Sequence, residues 1–274
     1  KEKEKKPIVE LHPKINTIRD LISFGKEHDN DENYSINMKG LIKMIPALEE
    51  LDSLVGMDGV KSSILEQIIF FSQHLHNVYE KKETKKPKLS RGNMLLPLLM
   101  GKPDSEPSME FSASESCTAV DDEYDMLHTR IEGPPGVGKT ILGKIIARIY
   151  LSLGITTKDT FKVVRRSDLV GEYLGHTAMK TQRAIDQAMG GVLFIDEAYS
   201  LGGGAKSDSF SKECIHTINQ NLSENKGGFI CIIAGYKEEL EKNFFSVNPG
   251  LERRFAFKYT IEKYSWEELT SILL

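Results

Sequence analysis

The sequence predicts an α/β protein: a parallel β-sheet with helices packed on both faces. Three observations predict it. From Met126 onward, short apolar stretches alternate with longer ones of helical periodicity, the order expected when each strand is followed by a crossover helix. Two of the apolar stretches, 192–195 and 229–234, are continuous, as in central strands buried on both sides. The first strand feeds a glycine loop, Gly133-Pro134-Pro135-Gly136-Val137-Gly138-Lys139-Thr140, that opens directly into a helical run.

In chain order, residues 1–50 read as an N-terminal accessory segment. Lys1 to Lys6 is a solvated charge run, and Ile15, Ile18, Leu21 and Ile22 have the spacing of one short amphipathic helix. The polar stretch 26–35 reads as a linker. Leu41, Ile42, Ile45 and Leu48 then predict a further short helix or turn, interrupted at Pro46. A second unit, 51–262, opens with a helix through Val60, Ile64, Ile68 and Ile69. Residues 81–91 are basic and 101–125 acidic and rich in Ser and Glu, a composition that predicts a mobile insertion at about 91–124.

The predicted strands are 127–131, 161–165, 192–195, 229–234 and 256–261. Lys162 and Arg165 suit the second of these to a sheet edge. Helices are expected at 140–153, ended by Gly154, at 177–189, ended by Gly190, and at 211–222.

Composition narrows the partners. The chain has 274 residues, and 36 basic against 40 acidic ones give a net charge of −4, which gives no support to nucleic acid or an anionic membrane as a partner. The three cysteines, Cys117, Cys214 and Cys231, have neither disulfide-framework nor zinc spacing, so a reducing, intracellular and soluble setting fits. No apolar run is long enough to span a bilayer. His74 and His76 are two apart on a helix and face different directions, which disfavours a metal site. The first residue is Lys1 rather than Met, as in a fragment of a longer chain.

The glycine loop carries the chemistry. Its glycines let backbone N–H groups close around a phosphate, and the helix N-terminus adds its positive end. Lys139 would reach the β- and γ-phosphates, and Thr140 would place its hydroxyl on Mg²⁺. Downstream, Gly191-Val192-Leu193-Phe194-Ile195-Asp196-Glu197 is a hydrophobic strand ending in two carboxylates. Asp196 is then placed for the Mg²⁺ shell and Glu197 to activate a water for in-line attack on the γ-phosphate. The doublet favours hydrolysis over transfer to a small molecule. Asn225-Lys226-Gly227-Gly228 fails as a guanine-reading element at its last position, so ATP is the expected nucleotide. Arg253 and Arg254, just before the last strand, are either surface or capping cations or an arginine finger for a neighbouring subunit.

Together these residues resemble the AAA+ ATPases, and more closely the CbxX/CfqX branch, which includes red-type Rubisco activases and a sporulation ATPase. The matching stretches are Leu54-Val55-Gly56-Met57, the glycine loop, Asp168 through Thr177, Gly190 through Leu201, Ala234-Gly235-Tyr236 and Asn248 through Phe255. The resemblance implies a P-loop NTPase core with a five-stranded sheet in the order 5-1-4-3-2. It also implies hexameric rings that use ATP to pull on other proteins.

By position, Pro134, Pro135, Gly136, Val137, Gly138, Lys139, Thr140, Ile141 and Asp196 would contact nucleotide, with Val55 and Gly56 lining the adenine pocket. Tyr173, Leu174 and Gly175 fall at the first pore loop, which grips substrate polypeptide. Arg254 is the first choice for the finger and Arg253 the second. After the fourth strand, where many AAA+ proteins place the Asn or Thr of sensor 1, the chain reads Ala234-Gly235-Tyr236, so Tyr236 is the catalytic candidate there through its hydroxyl, and residues 263–274 reach only the start of a helical lid. Two other readings share this core: a nucleic-acid-dependent ATPase or loader, which would want more basic pore loops, and a nucleotide-gated scaffold with little turnover.

Overall fold

The computed structural model describes residues 15–28, 38–83, 127–173, 175–202, 209–225 and 227–273. The expected insertion at 91–124 and the pore-loop residue Leu174 lie outside the described residues.

Five parallel strands form one sheet: β1 (Thr129–Glu132), β2 (Phe161–Val164), β3 (Val192–Ile195), β4 (Ile230–Gly235) and β5 (Phe257–Thr260). Their order is β2-β3-β4-β1-β5, the expected 5-1-4-3-2 read from the other edge. Every neighbouring pair is parallel, with β1 between β4 and β5 (Ile131 opposite Ala234 and Tyr259). The charged second strand is indeed at the edge, and β3 and β4 are buried along their whole length.

Strand side chains alternate between two cores, as the period of two requires. Phe194, Ile232 and Ala234 face one layer, while Leu193, Ile195, Cys231 and Ile233 face the other. The first layer is made by α1 (Ile18–Glu27), α2 (Met38–Ser53), α3 (Asp58–Glu83) and α4 (Lys139–Ser152). The second contains α5 (His176–Ala188) and α6 (Ser209–Glu224).

The N-terminal helices are therefore part of the main core. Thr17 caps α1 reciprocally with Asp20, satisfying two otherwise unpaired N–H groups. Leu48 and Leu51 of α2 are completely buried in the layer that holds Leu142 and Ile145 of α4. Arg148 of α4 pairs with Glu50 of α2.

The predicted interruption at Pro46 is not seen: α2 runs through it. Proline leaves the carbonyl four residues earlier without its helical donor. Pro46 is on the exposed side of α2, where solvent can satisfy that group, and the packing of Met44, Leu48 and Leu51 holds the helix together.

Candidate nucleotide site

The carboxyl ends of β1, β3 and β4 converge on a cleft of about 340 Å³. It is lined by Pro135, Gly136, Gly138, Lys139, Thr140, Ile141, Asp196, Glu197 and Tyr236, and by two residues the sequence reading did not single out, Tyr199 and Gly235. Residues 57 positions apart in sequence, Lys139 and Asp196, meet here because β4 alone separates β1 from β3.

The loop conformation depends on glycine. Gly136 and Gly138 have φ of 80° and 86°, in the left-handed region that side chains with a Cβ avoid. A Cβ on Gly136 would meet nothing within 4 Å, so its backbone is open to a ligand approaching closely. Gly133 is different: a Cβ there would stand 2.7 Å from the Ile261 carbonyl oxygen, so it is needed for packing against the exit of β5.

Lys139 begins α4 and donates to the carbonyls of Gly133 (2.9 Å) and Pro134 (2.7 Å). Burial holds its pKa below the usual lysine value, while the negative charge of Asp196 and Glu197 acts in the opposite direction. Glu197 is one of two residues other than glycine with positive φ among the described residues (φ 52°, ψ 44°). Such a conformation costs on the order of 1–2 kcal/mol and is retained where position matters more than comfort. Here it turns the chain sharply after β3 so that adjacent carboxylates both face the cleft.

The donor set fits a magnesium nucleotide. Mg²⁺ takes oxygen ligands and uses only one or two carboxylates together with phosphate and water. Thr140 and Asp196 supply that set in the same cleft as the loop N–H groups and Lys139.

The remaining expected residues are placed around the cleft or away from it. Val137 is buried, and its carbonyl accepts from the Tyr264 hydroxyl at 3.2 Å. Met57 lies against Gly138, which brings the Val55-Gly56 turn beside the loop, and Glu268 stands directly over Gly56. Arg253 is exposed; Arg254 is half-buried and donates to the Leu222 carbonyl at 3.5 Å. Neither arginine lines the cleft of its own chain. Tyr173 and Gly175 belong to the β2–α5 connection, where Tyr173 is 67% exposed beside a separate groove of about 390 Å³.

Two charged groups near the cleft were not read from the sequence as belonging to it. Arg165, at the end of β2, reaches Asp196. Glu132, immediately before the loop, is a fully buried carboxylate held between Arg130 (3.4 Å) and Lys258 (3.3 Å). Arg130 also pairs with Glu252, the neighbour of Arg253, at 3.2 Å. The only signal available was the presence of charge within an otherwise apolar strand pattern.

The part of the chain that forms this cleft is similar to known proteins. Residues 130–263 match the family model described as "ATPase family associated with various cellular activities (AAA)". This stretch is an AAA ATPase domain. Over 238 residues the chain is 39% identical to "Putative cfxQ-like protein R730" of Acanthamoeba polyphaga mimivirus, covering 87% of this chain and 48% of the relative. It is 42% identical over 146 residues to "Stage V sporulation protein K" of Bacillus subtilis, 53% of this chain and 45% of the relative. The "Protein CfxQ homolog" of Trieres chinensis is 42% identical, with 53% and 50% covered. These names match the CbxX/CfqX branch. The chain thus spans about half the length of the curated relatives it matches.

Proposed function

We propose that this chain is the motor part of an ATP-hydrolysing AAA+ ring that remodels or threads protein substrates through a central pore. The observation that carries the reading is the convergence of Lys139, Thr140, Asp196 and Glu197 on one cleft. In it the loop N–H groups and Lys139 bind the triphosphate, and Glu197 takes a proton from the attacking water. Thr140 and Asp196 would hold Mg²⁺, which when bound neutralises charge developing on the phosphate oxygens.

Threading is supported by Tyr173, an aromatic that stays exposed in a short strand-to-helix connection. Arg254, with Arg253 as second choice, is assigned as the finger acting on a neighbouring subunit, since neither reaches its own cleft. On this reading the working unit is a homo-oligomer, because each site draws its finger from a neighbouring subunit.

The test is ATP turnover of the whole protein against its concentration, with and without Mg²⁺. Specific activity that rises with concentration and disappears in Arg254→Ala is the expected result. Turnover independent of concentration overturns the shared site. Stimulation by single-stranded DNA or RNA, and none by an unfolded polypeptide, would replace the protein remodeller with a nucleic-acid motor.

A further inference from the structure

The chain leaves β4 at Gly235 and places Tyr236 over the phosphate loop. The Lys139 ammonium lies 5.4 Å from the centre of the Tyr236 ring. Its hydrogen bonds go to the Gly133 and Pro134 carbonyls, so the ring face is a third, separate neighbour. Behind Tyr236 stands Tyr199, stacked with ring centres 5.3 Å apart and planes 29° from parallel. Both rings line the cleft with Lys139 and Glu197.

The stack is built by two features of the backbone. Tyr199 belongs to the one-turn 3₁₀ helix Ala198–Leu201, which begins straight after the left-handed Glu197. Gly235 leaves the room it needs: a Cβ there would lie 2.9 Å from Tyr199 Cδ1 and 3.0 Å from Leu240 Cγ. A side chain at 235 would push Tyr199 off its place behind Tyr236.

A cation within about 6 Å of an aromatic centroid is attracted by the negative ring face, and more strongly where water is excluded. That suits this cleft. The Asp196 and Glu197 carboxylates that line the cleft with Lys139 would repel a triphosphate. A ring face steadies the ammonium without adding negative charge. An amide or hydroxyl at the same position would offer only a hydrogen-bonding tip.

We propose that Tyr236, backed by Tyr199, is a positioning residue whose ring face holds the Lys139 ammonium at the phosphate site, the phenolic hydroxyl being dispensable for this role. The proposal rests on the nucleotide-binding reading above and adds to it how the position after β4 works when it is aromatic.

The test is titration of the whole protein with a fluorescent ATP analogue, together with KM and kcat for ATP. Tyr236→Ala is expected to weaken affinity about tenfold, the scale of a partly desolvated cation–π contact. Tyr236→Phe recovers most of that loss, whereas Tyr236→Asn does not. Replacing Tyr236 by mono-, di- and trifluorinated phenylalanines, which withdraw electrons with little change of shape, lowers affinity stepwise from the Tyr236→Phe value. A flat fluorination series overturns the ring-face assignment, as does a Tyr236→Phe protein no better than Tyr236→Ala. Lys139→Ala separates the two layers of the argument: near-normal affinity in that variant means the nucleotide reading itself has failed. Because the fluorinated side chains keep the stack with Tyr199, the series stays informative even if Tyr236→Ala does not fold.

Discussion

The Arg165 guanidinium stands 3.4 Å from the Asp196 carboxylate, joining the carboxyl ends of the paired strands β2 and β3. Arg165 is 67% exposed and Asp196 17%, so the pair sits at the mouth of the cleft rather than within the core. Asp196 is also the carboxylate assigned to Mg²⁺, so the arginine and the metal draw on the same negative charge. Arg165→Gln is expected to lower the Mg²⁺ concentration for half-maximal turnover by about two- to fivefold, the range an exposed ion pair allows. Stability changes by no more than about 0.5 kcal/mol, as for other exposed sites. A Mg²⁺ titration and a thermal melt of the same variant check both statements.

Gly143 makes the opposite kind of prediction, one about packing. It faces β3 from α4, and a Cβ at this position would lie 2.5 Å from Phe194 Cε2 and 2.8 Å from Cδ2. Phe194 is fully buried and meets Phe161 with ring centres 5.4 Å apart, so it has little room to withdraw. Alanine would gain about 1 kcal/mol of helix propensity over glycine. Overpacking costs about 1–3 kcal/mol, and here it wins. Gly143→Ala should therefore lower the denaturation midpoint in urea, and a raised midpoint would show that the α4–β3 contact can relax.

The fold was legible where burial imposes a pattern over several residues. The continuous apolar runs of β3 and β4 marked the sheet centre, and Lys162 and Arg165 marked β2 as an edge. That the glycine loop and the Asp196-Glu197 doublet share one cleft was legible because both follow strands of the same parallel sheet and stand at the carboxyl ends. Relationships across the sheet were not. Nothing near Tyr199 announces Tyr236, because their stack depends on β3 and β4 being neighbours and on the missing side chain of Gly235. Pro46 misled for a related reason: its effect on α2 is decided by tertiary packing with α4, which a local rule does not include.

Buried polar groups on the α3–α4 side predict a pH effect. Gln67 Nε2 donates to the Tyr150 hydroxyl at 2.9 Å, Thr129 Oγ1 lies 3.0 Å from the same oxygen, and the Tyr259 hydroxyl donates to Gln67 Oε1. Burial pushes Tyr150 from 10.0 up to about 12, and Tyr259 is pushed up as well. In the folded protein Tyr150 keeps its proton to higher pH than in the unfolded chain, so the unfolded state binds fewer protons in that interval. Stability is then fully present below pH 10.0 and falls as pH rises toward about 12. Tyr150→Phe costs about 1–3 kcal/mol near neutrality by leaving Gln67 without its acceptor, and it flattens the alkaline decline. Urea unfolding across that pH interval measures both.

Tyr173 tests the threading assignment against simple local packing. Its ring meets His176 edge-on at 5.6 Å, but 67% of the residue remains exposed, so little burial is lost when it is truncated. Tyr173→Ala should keep its thermal midpoint within about 2 °C, in line with a surface substitution of under 0.5 kcal/mol. If the side chain grips a polypeptide, the stimulation of ATP turnover by an unfolded protein falls about tenfold in the same variant, a typical cost for removing an aromatic anchor. Tyr173→Phe, which keeps the ring, retains most of that stimulation. A large drop in midpoint with stimulation intact would make Tyr173 a packing residue of the β2–α5 connection and leave any substrate grip to be found elsewhere in the protein.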